Sequence, residues 1–155
     1  VNKSFIRVES DEVTYPLHIM LRFNLEQKIF NDEIKIKDIP ELWNEEFKRL
    51  FNKTVDTDSN GCLQDVHWYA GLFGYFPTYS LGALTAAQLA SQLRIDITNL
   101  DTQIEKGDFK ELLQWLKTNV HSKASLYSTN DILQQVTNSN LNAKYFEDYI
   151  KNRYL

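Results

Sequence analysis

Between Gly61 and Tyr79 the chain reads GCLQDVHWYAGLFGYFPTY. No other stretch concentrates so many committed side chains: an acid (Asp65), a histidine (His67), an indole (Trp68), three tyrosines (Tyr69, Tyr75, Tyr79), two phenylalanines and three of the chain's five glycines. These are residue types suited to a cleft that binds or reacts. Gly71 and Gly74 each disfavour a helix by about 1 kcal/mol relative to alanine, and Pro77 removes a backbone donor, so the run is expected to bend or to approach another backbone closely. Cys62 has no basic residue nearer than His67 and stands close to Asp65, whereas a nucleophilic thiol needs positive surroundings; it reads as structural. The preceding loop TVDTDSN lacks the glutamate that would complete a calcium loop and reads as a connection delivering the run to a cleft. Arg7 and Asp11, four apart, share one helix face, which by spacing alone describes a surface ion pair. His18 and His121 read as packed or surface residues.

The elements that must position these groups are helical. Ser4 to about Phe30 repeats apolar residues at three or four positions, with Ser4 as N-cap and a kink expected near Val13 because of Pro16. Glu33 to Lys37 alternates polar and apolar residues and suits one short extended segment. Pro40 opens a second helix through ELWNEEFKRLFNK, with Asp38 as its cap. Leu81 to about Lys106 reads as one long helix stopped by Gly107. Asp108 caps a further helix whose Leu112, Leu113, Trp115 and Leu116 face inward. The tail gives two short helices, one capped by Thr129 or Asn130 and the other by Asn142. The expected class is all-α with at most one short extended piece.

Composition sets the outer limits. A chain of 155 residues is about one domain and can bury a core. A hydrophobic content of 43% and a charged content of 25% describe a folded globular chain. A formal net charge of −4 gives no footprint for nucleic acid. No run suits a membrane span or a signal peptide, so the expectation is a soluble cytoplasmic protein without nucleic-acid or membrane partners.

GCLQDVHW at Gly61 to Trp68 matches a G-x-x-Q-D-x-H-W signature, and IRVESD at Ile6 to Asp11 matches I-R-x-x-A-D with Ser10 in place of alanine. On these motifs, and on DEVTYPLHI, FGYFPTYSLGALTAAQL and YFEDYIKNRY in the same order, the chain resembles the carboxypeptidase Taq family of zinc metallocarboxypeptidases across its whole length. The resemblance implies a helical fold enclosing a groove, a peptide C-terminus as substrate, zinc as cofactor and a homodimer. The family's HExxH helix has no counterpart in this sequence, and catalytic zinc takes three protein ligands. Residues 1–155 are therefore expected to be a C-terminal fragment of the catalytic domain, binding no metal alone, inactive alone, and partnered by an N-terminal HExxH-bearing portion. By the same resemblance Arg7 is a candidate anchor for the substrate carboxylate, since a guanidinium can bind one in bidentate fashion, with Asp11 holding it. His67 and Tyr75 are candidate donors to the developing oxyanion, as in the more distantly similar peptidyl-dipeptidases, with Tyr79 the next choice. Asp65 is expected to orient His67 or to be structural, Trp68 to support the cleft, and Gln64 to bond substrate or backbone. The competing reading is a free-standing helical module that binds a peptide or partner through its aromatic run, or a remnant of the enzyme without activity.

Overall fold

The computed structural model describes all 155 residues, and every regular element in it is helical. Seven α-helices follow in order: α1 Tyr15–Phe30, α2 Ile39–Phe51, α3 Pro77–Asp96, α4 Leu100–Glu105, α5 Lys110–Asn119, α6 Thr129–Thr137 and α7 Lys144–Tyr154. Single 3-10 turns occupy Arg7–Glu9, Ile36–Asp38 and His121–Lys123. No helix is long and apolar enough to cross a membrane. The chain divides into two compact units, residues 1–80 and 81–155.

In the first unit, α1 and α2 pack through Leu21, Leu25, Trp43, Phe47 and Phe51, and Val55 and Cys62 close the cluster. Proline decides where α1 starts. Instead of kinking a helix that begins at Ser4, Pro16 lies in the first turn of α1, where its missing N–H costs nothing because first-turn donors have no intrahelical partner. Ahead of it, Asp11 Oδ1 accepts from Val13 N, Thr14 N and Thr14 Oγ1 and organises the entry. Ser4 Oγ accepts from Ile6 N, leading into the turn at Arg7–Glu9. The extended segment expected at Glu33–Lys37 does not form. Asp38 folds back to accept from Lys35 N, and Asp38 N donates to Lys35 O, closing a turn; Asp38 therefore serves that turn and makes no side-chain cap for α2.

Residues 61–76 form no regular element but a chain of tight turns, with bonds such as Ala70 N to Val66 O and Leu72 N to His67 O. Gly74 sits at φ +75°, a left-handed conformation open to glycine at no steric cost. Gly61 is needed for a different reason: a Cβ there would lie 3.1 Å from Val55 Cγ1.

In the second unit Leu93, Leu100 and Trp115 form a small buried cluster flanked by Leu89, Leu112 and Leu116. The long helix expected over Leu81–Lys106 starts earlier, at Pro77, and is broken between Asp96 and Leu100. The run I-D-I-T-N is the reason, since β-branched and Asx residues are poor helix formers. Gly107 ends α4 at φ +70°, and Asp108 Oδ1 accepts from Lys110 N at the head of α5. Leu113 is exposed, not inward-facing. Ser128, rather than Thr129 or Asn130, caps α6 in a reciprocal box with Asp131, while Asn142 Oδ1 accepts from Lys144 N at the start of α7. Gln88 is fully buried on α3; its Nε2 donates to Thr137 Oγ1 and Ser139 Oγ, and its Oε1 accepts from Asn142 N, fastening the loop between α6 and α7.

Candidate functional site

The site lies within the first unit, where one face of α1 meets the 61–79 run and the Arg7 turn. Along α1, residues His18, Arg22 and Glu26 recur every four positions and are all buried, a polar stripe on an otherwise apolar helix. Each member has a task. Arg22, 0% exposed, donates Nε to Asp65 Oδ2 at 2.6 Å and Nη1 to its own helix at His18 O. Its Nη2 also approaches Asp65 Oδ2, at 2.5 Å, but off the hydrogen-bond angle, so that contact is Coulombic. Glu26 accepts from Trp68 Nε1 at 2.7 Å and from Gly74 N at 3.1 Å, and so holds the aromatic run at two points. His18 packs against Phe47 and Phe51, with the Ser4 backbone as its polar neighbour.

Asp65 is the hub. While Oδ2 faces Arg22, Oδ1 accepts from Arg7 Nε at 3.0 Å and Nη2 at 2.8 Å. Burial opposes the charge on Asp65, but the two guanidiniums outweigh it and hold the carboxyl below its usual range. Burial likewise opposes the charge on Arg7, and hydrogen bonding to Asp65 offsets it so that the pKa rises. In Arg22 burial wins and lowers the value to about 10, still cationic at neutral pH.

Arg7 is 6% exposed and flanked by aromatic rings: its guanidinium carbon is 5.1 Å from the Tyr79 centroid and 5.8 Å from that of Phe76. Nη1 donates to Tyr15 Oη at 2.6 Å. A guanidinium has five N–H groups, so the bonds to Asp65 and Tyr15 leave one on each terminal nitrogen. The main chain of Arg7 is fixed separately, because its N–H donates to Gln64 Oε1 at 2.8 Å. The two N–H groups of Gln64 Nε2 serve the three carbonyls within reach, those of Phe5, Asn60 and Gly61.

His67 Nε2 and Tyr79 Oη are 2.9 Å apart, and His67 Nδ1 lies 3.8 Å from Asp65 Oδ1. Burial is the main cause that keeps His67 below its ordinary pKa, so the ring is neutral at pH 7. The Tyr75 ring leans on both His67 and Tyr79, with centroids at 5.7 and 5.4 Å, and is 44% exposed.

Of the residues singled out from sequence, Arg7, Gln64, Asp65, His67, Trp68, Tyr75 and Tyr79 are thus brought into one constellation. One expectation changes. The acid that grips Arg7 is Asp65, fifty-eight positions away, while Asp11 is occupied at the entry to α1. Of the two alternatives for Gln64, its amide bonds backbone in this structure. Arg22, Glu26 and Tyr15 join the site from outside the sequence candidates. Arg22 and Glu26 carry a signal, as charged residues at i and i+4 on one helix, a pattern that burial makes costly unless partners wait; Tyr15 carries none. No group of three or more His, Cys, Asp or Glu side chains is placed to hold a metal ion, so the chain's own residues do not fit zinc.

The family model described as "Carboxypeptidase Taq (M32) metallopeptidase" matches residues 1–154. Carboxypeptidase 1 of Bacillus subtilis is 44% identical over 151 residues, which is 97% of this chain and 30% of that protein. Thermostable carboxypeptidase 1 of Pyrococcus furiosus is 41% identical over 155 residues, covering 100% of this chain and 31% of that protein. A solved structure of the Pyrococcus furiosus carboxypeptidase, described as "Apo-Mg", superposes with a TM-score of 0.97 at 41% identity, over 100% of this chain and 31% of that one. The chain therefore spans about a third of the length of these relatives.

Proposed function

The chain belongs to the carboxypeptidase Taq (M32) metallopeptidase family, and from that premise we propose that it is the C-terminal, substrate-holding portion of a zinc metallocarboxypeptidase that removes residues from peptide C-termini. The observation that carries the reading is Arg7: a buried guanidinium gripped on one edge by Asp65, with one N–H on each terminal nitrogen outside its present bonds. That pair of donors suits the two oxygens of a terminal carboxylate. Tyr75, whose exposed ring rests on His67, donates to the oxyanion that develops on the scissile carbonyl, and Tyr79 and His67 are hydrogen-bonded to each other beside it. Asp65 and Gln64 orient Arg7, through its side chain and its main chain respectively.

Zinc belongs to an HExxH-bearing portion that this chain lacks, so alone it is inactive. Exposed apolar side chains support such a partnership: Met20, Phe23 and Phe30 on α1 and Leu81 on α3 all face outward, and contiguous exposed apolar surface suits cover by a partner.

The test is a carboxypeptidase assay with zinc on this chain, and on the chain mixed with an HExxH-bearing N-terminal portion of a relative. Activity is expected only in the mixture, lost with Arg7→Ala and lowered about 10²-fold in kcat with Tyr75→Phe. Cleavage by the chain alone contradicts the assignment of zinc to another portion. Metal-independent peptide binding with no cleavage in the mixture favours a binding module instead.

A further inference from the structure

We infer that Arg22, which lies outside the motifs carrying the family resemblance, sets the charge of the carboxylate subsite: it neutralises Asp65 from behind, so that Arg7 keeps a net positive charge for an incoming peptide carboxylate. The inference rests on the reading of Arg7 as the carboxylate anchor.

Arg7 and Asp65 by themselves form a neutral pair. A carboxylate approaching Arg7 would meet the attraction of the guanidinium and the repulsion of the carboxylate already bound to it. Asp65, however, divides its two oxygens, Oδ1 to Arg7 and Oδ2 to Arg22. Two guanidiniums and one carboxylate leave one positive charge. His18 adds no charge to this set: it is buried and neutral, with a pKa lowered to about 4 chiefly by burial. Glu26, one turn on from Arg22, places its two carboxylate oxygens on Trp68 Nε1 and Gly74 N rather than on either guanidinium.

Arg22 cannot act by touching substrate. It is 0% exposed, and its guanidinium carbon lies 4.6 Å from the Trp43 centroid and 5.3 Å from that of Phe76. Nor does packing require a cation there. A fully buried guanidinium is expensive to desolvate, and hydrophobic residues of similar volume replace buried ion pairs at little or no loss of stability. What an apolar residue at this position cannot do is hold Asp65 Oδ2 and supply the second positive charge. Because Arg22 and the Arg7–Asp65 pair are buried, that charge is screened less than a surface charge would be.

Charge rescue separates this role from a purely structural one. The measurement is NMR titration of the chain with N-acetyl-Ala-Ala and with its C-terminal amide, read as the ratio of the two Kd values and, independently, as the pKa of the His67 ring. The unmodified chain is expected to prefer the free acid. Arg22→Met reduces that preference by on the order of tenfold and raises the pKa of His67, which loses a positive neighbour. Arg22→Met combined with Asp65→Asn removes one charge of each sign; the carboxamide still accepts from Arg7, and both readouts return toward the unmodified values. If the double variant discriminates as poorly as the single one, or if Arg22→Met keeps the full preference while Arg7→Ala loses it, Arg22 does not set the charge and the inference alone falls. Should the preference survive Arg7→Ala, or be absent from the unmodified chain, the anchor reading itself fails and takes the inference with it.

Discussion

At the scale of single residues, the site is a set of buried polar groups, and His18 is the one whose burial most outweighs its polar contacts. Its ring is fully buried among Phe47, Phe51 and the Arg22 helix turn, and desolvation there exceeds the opposing pull of the Ser4 backbone. Folding therefore requires the neutral ring. The folded pKa of about 4 lies below the ordinary 6.5, so the unfolded state binds more protons between these values. The stability contributed by keeping His18 neutral is complete above pH 6.5 and is lost as pH falls toward 4. The expected loss over that window is about 3 kcal/mol, measurable as the difference in urea stability between pH 7 and pH 4. His18→Phe should flatten the profile over that interval. Asp65 and Asp11, both held below their usual range, add a loss of the same sign, but only as pH falls through the carboxylate range.

Sequence reading singles out Arg7, Asp65 and His67 because they occupy fixed places in short motifs, and Tyr75 and Tyr79 by likeness to more distant peptidases; the structure brings all five close together. Sequence alone could not tell which acid holds Arg7. Spacing favours Asp11, four residues away, but α1 starts at Tyr15 and the Arg7 segment is a single 3-10 turn, so the helical neighbour rule does not apply. With no helix to align them, long-range partners decide, and Asp65 takes the position.

At the scale of elements, two polar side chains act as fasteners. Glu26 ties α1 to the aromatic run, and Glu26→Ala would leave Trp68 Nε1 and Gly74 N without their partners. The expected cost is about 2–4 kcal/mol, with a shift in tryptophan fluorescence as the Trp68 indole loses its bond; Glu26→Gln, whose single amide oxygen accepts from only one of the two donors, should recover part of the stability. Gln88 does the corresponding work in the second unit. Gln88→Ala should speed hydrogen exchange at the Asn142 amide, which donates to Gln88 Oε1, more than at amides in the middle of α5. Helix periodicity located most of the helices, while their ends depended on local chemistry: Pro16 in a first turn, Asp38 closing on Lys35, and the β-branched run that parts α3 from α4.

At the scale of the whole molecule, the two units have unequal cores. The first buries Leu21, Leu25, Trp43, Phe47 and Phe51 with further residues around them, and the second buries Leu93, Leu100 and Trp115. Buried apolar area contributes about 25 cal/mol per Å², so residues 81–155 should be the less stable part. Hydrogen exchange of the unmodified chain at increasing urea is expected to show loss of protection at the α5 amides before the α1 amides. Coincident transitions would instead mean that the two units unfold together.

The sequence by itself determined the family, the helical class and the identity of the motif residues, because rare side chains in fixed order need no geometry to be recognised, and 3.6-residue periodicity is local. Only the tertiary structure decided the partnerships: Asp65 shared between Arg7 and Arg22, Gln64 turned to backbone, Glu26 holding Trp68 and Gly74. Those choices depend on which buried groups from distant segments meet, and burial makes an unmet charge or donor costly enough to fix them.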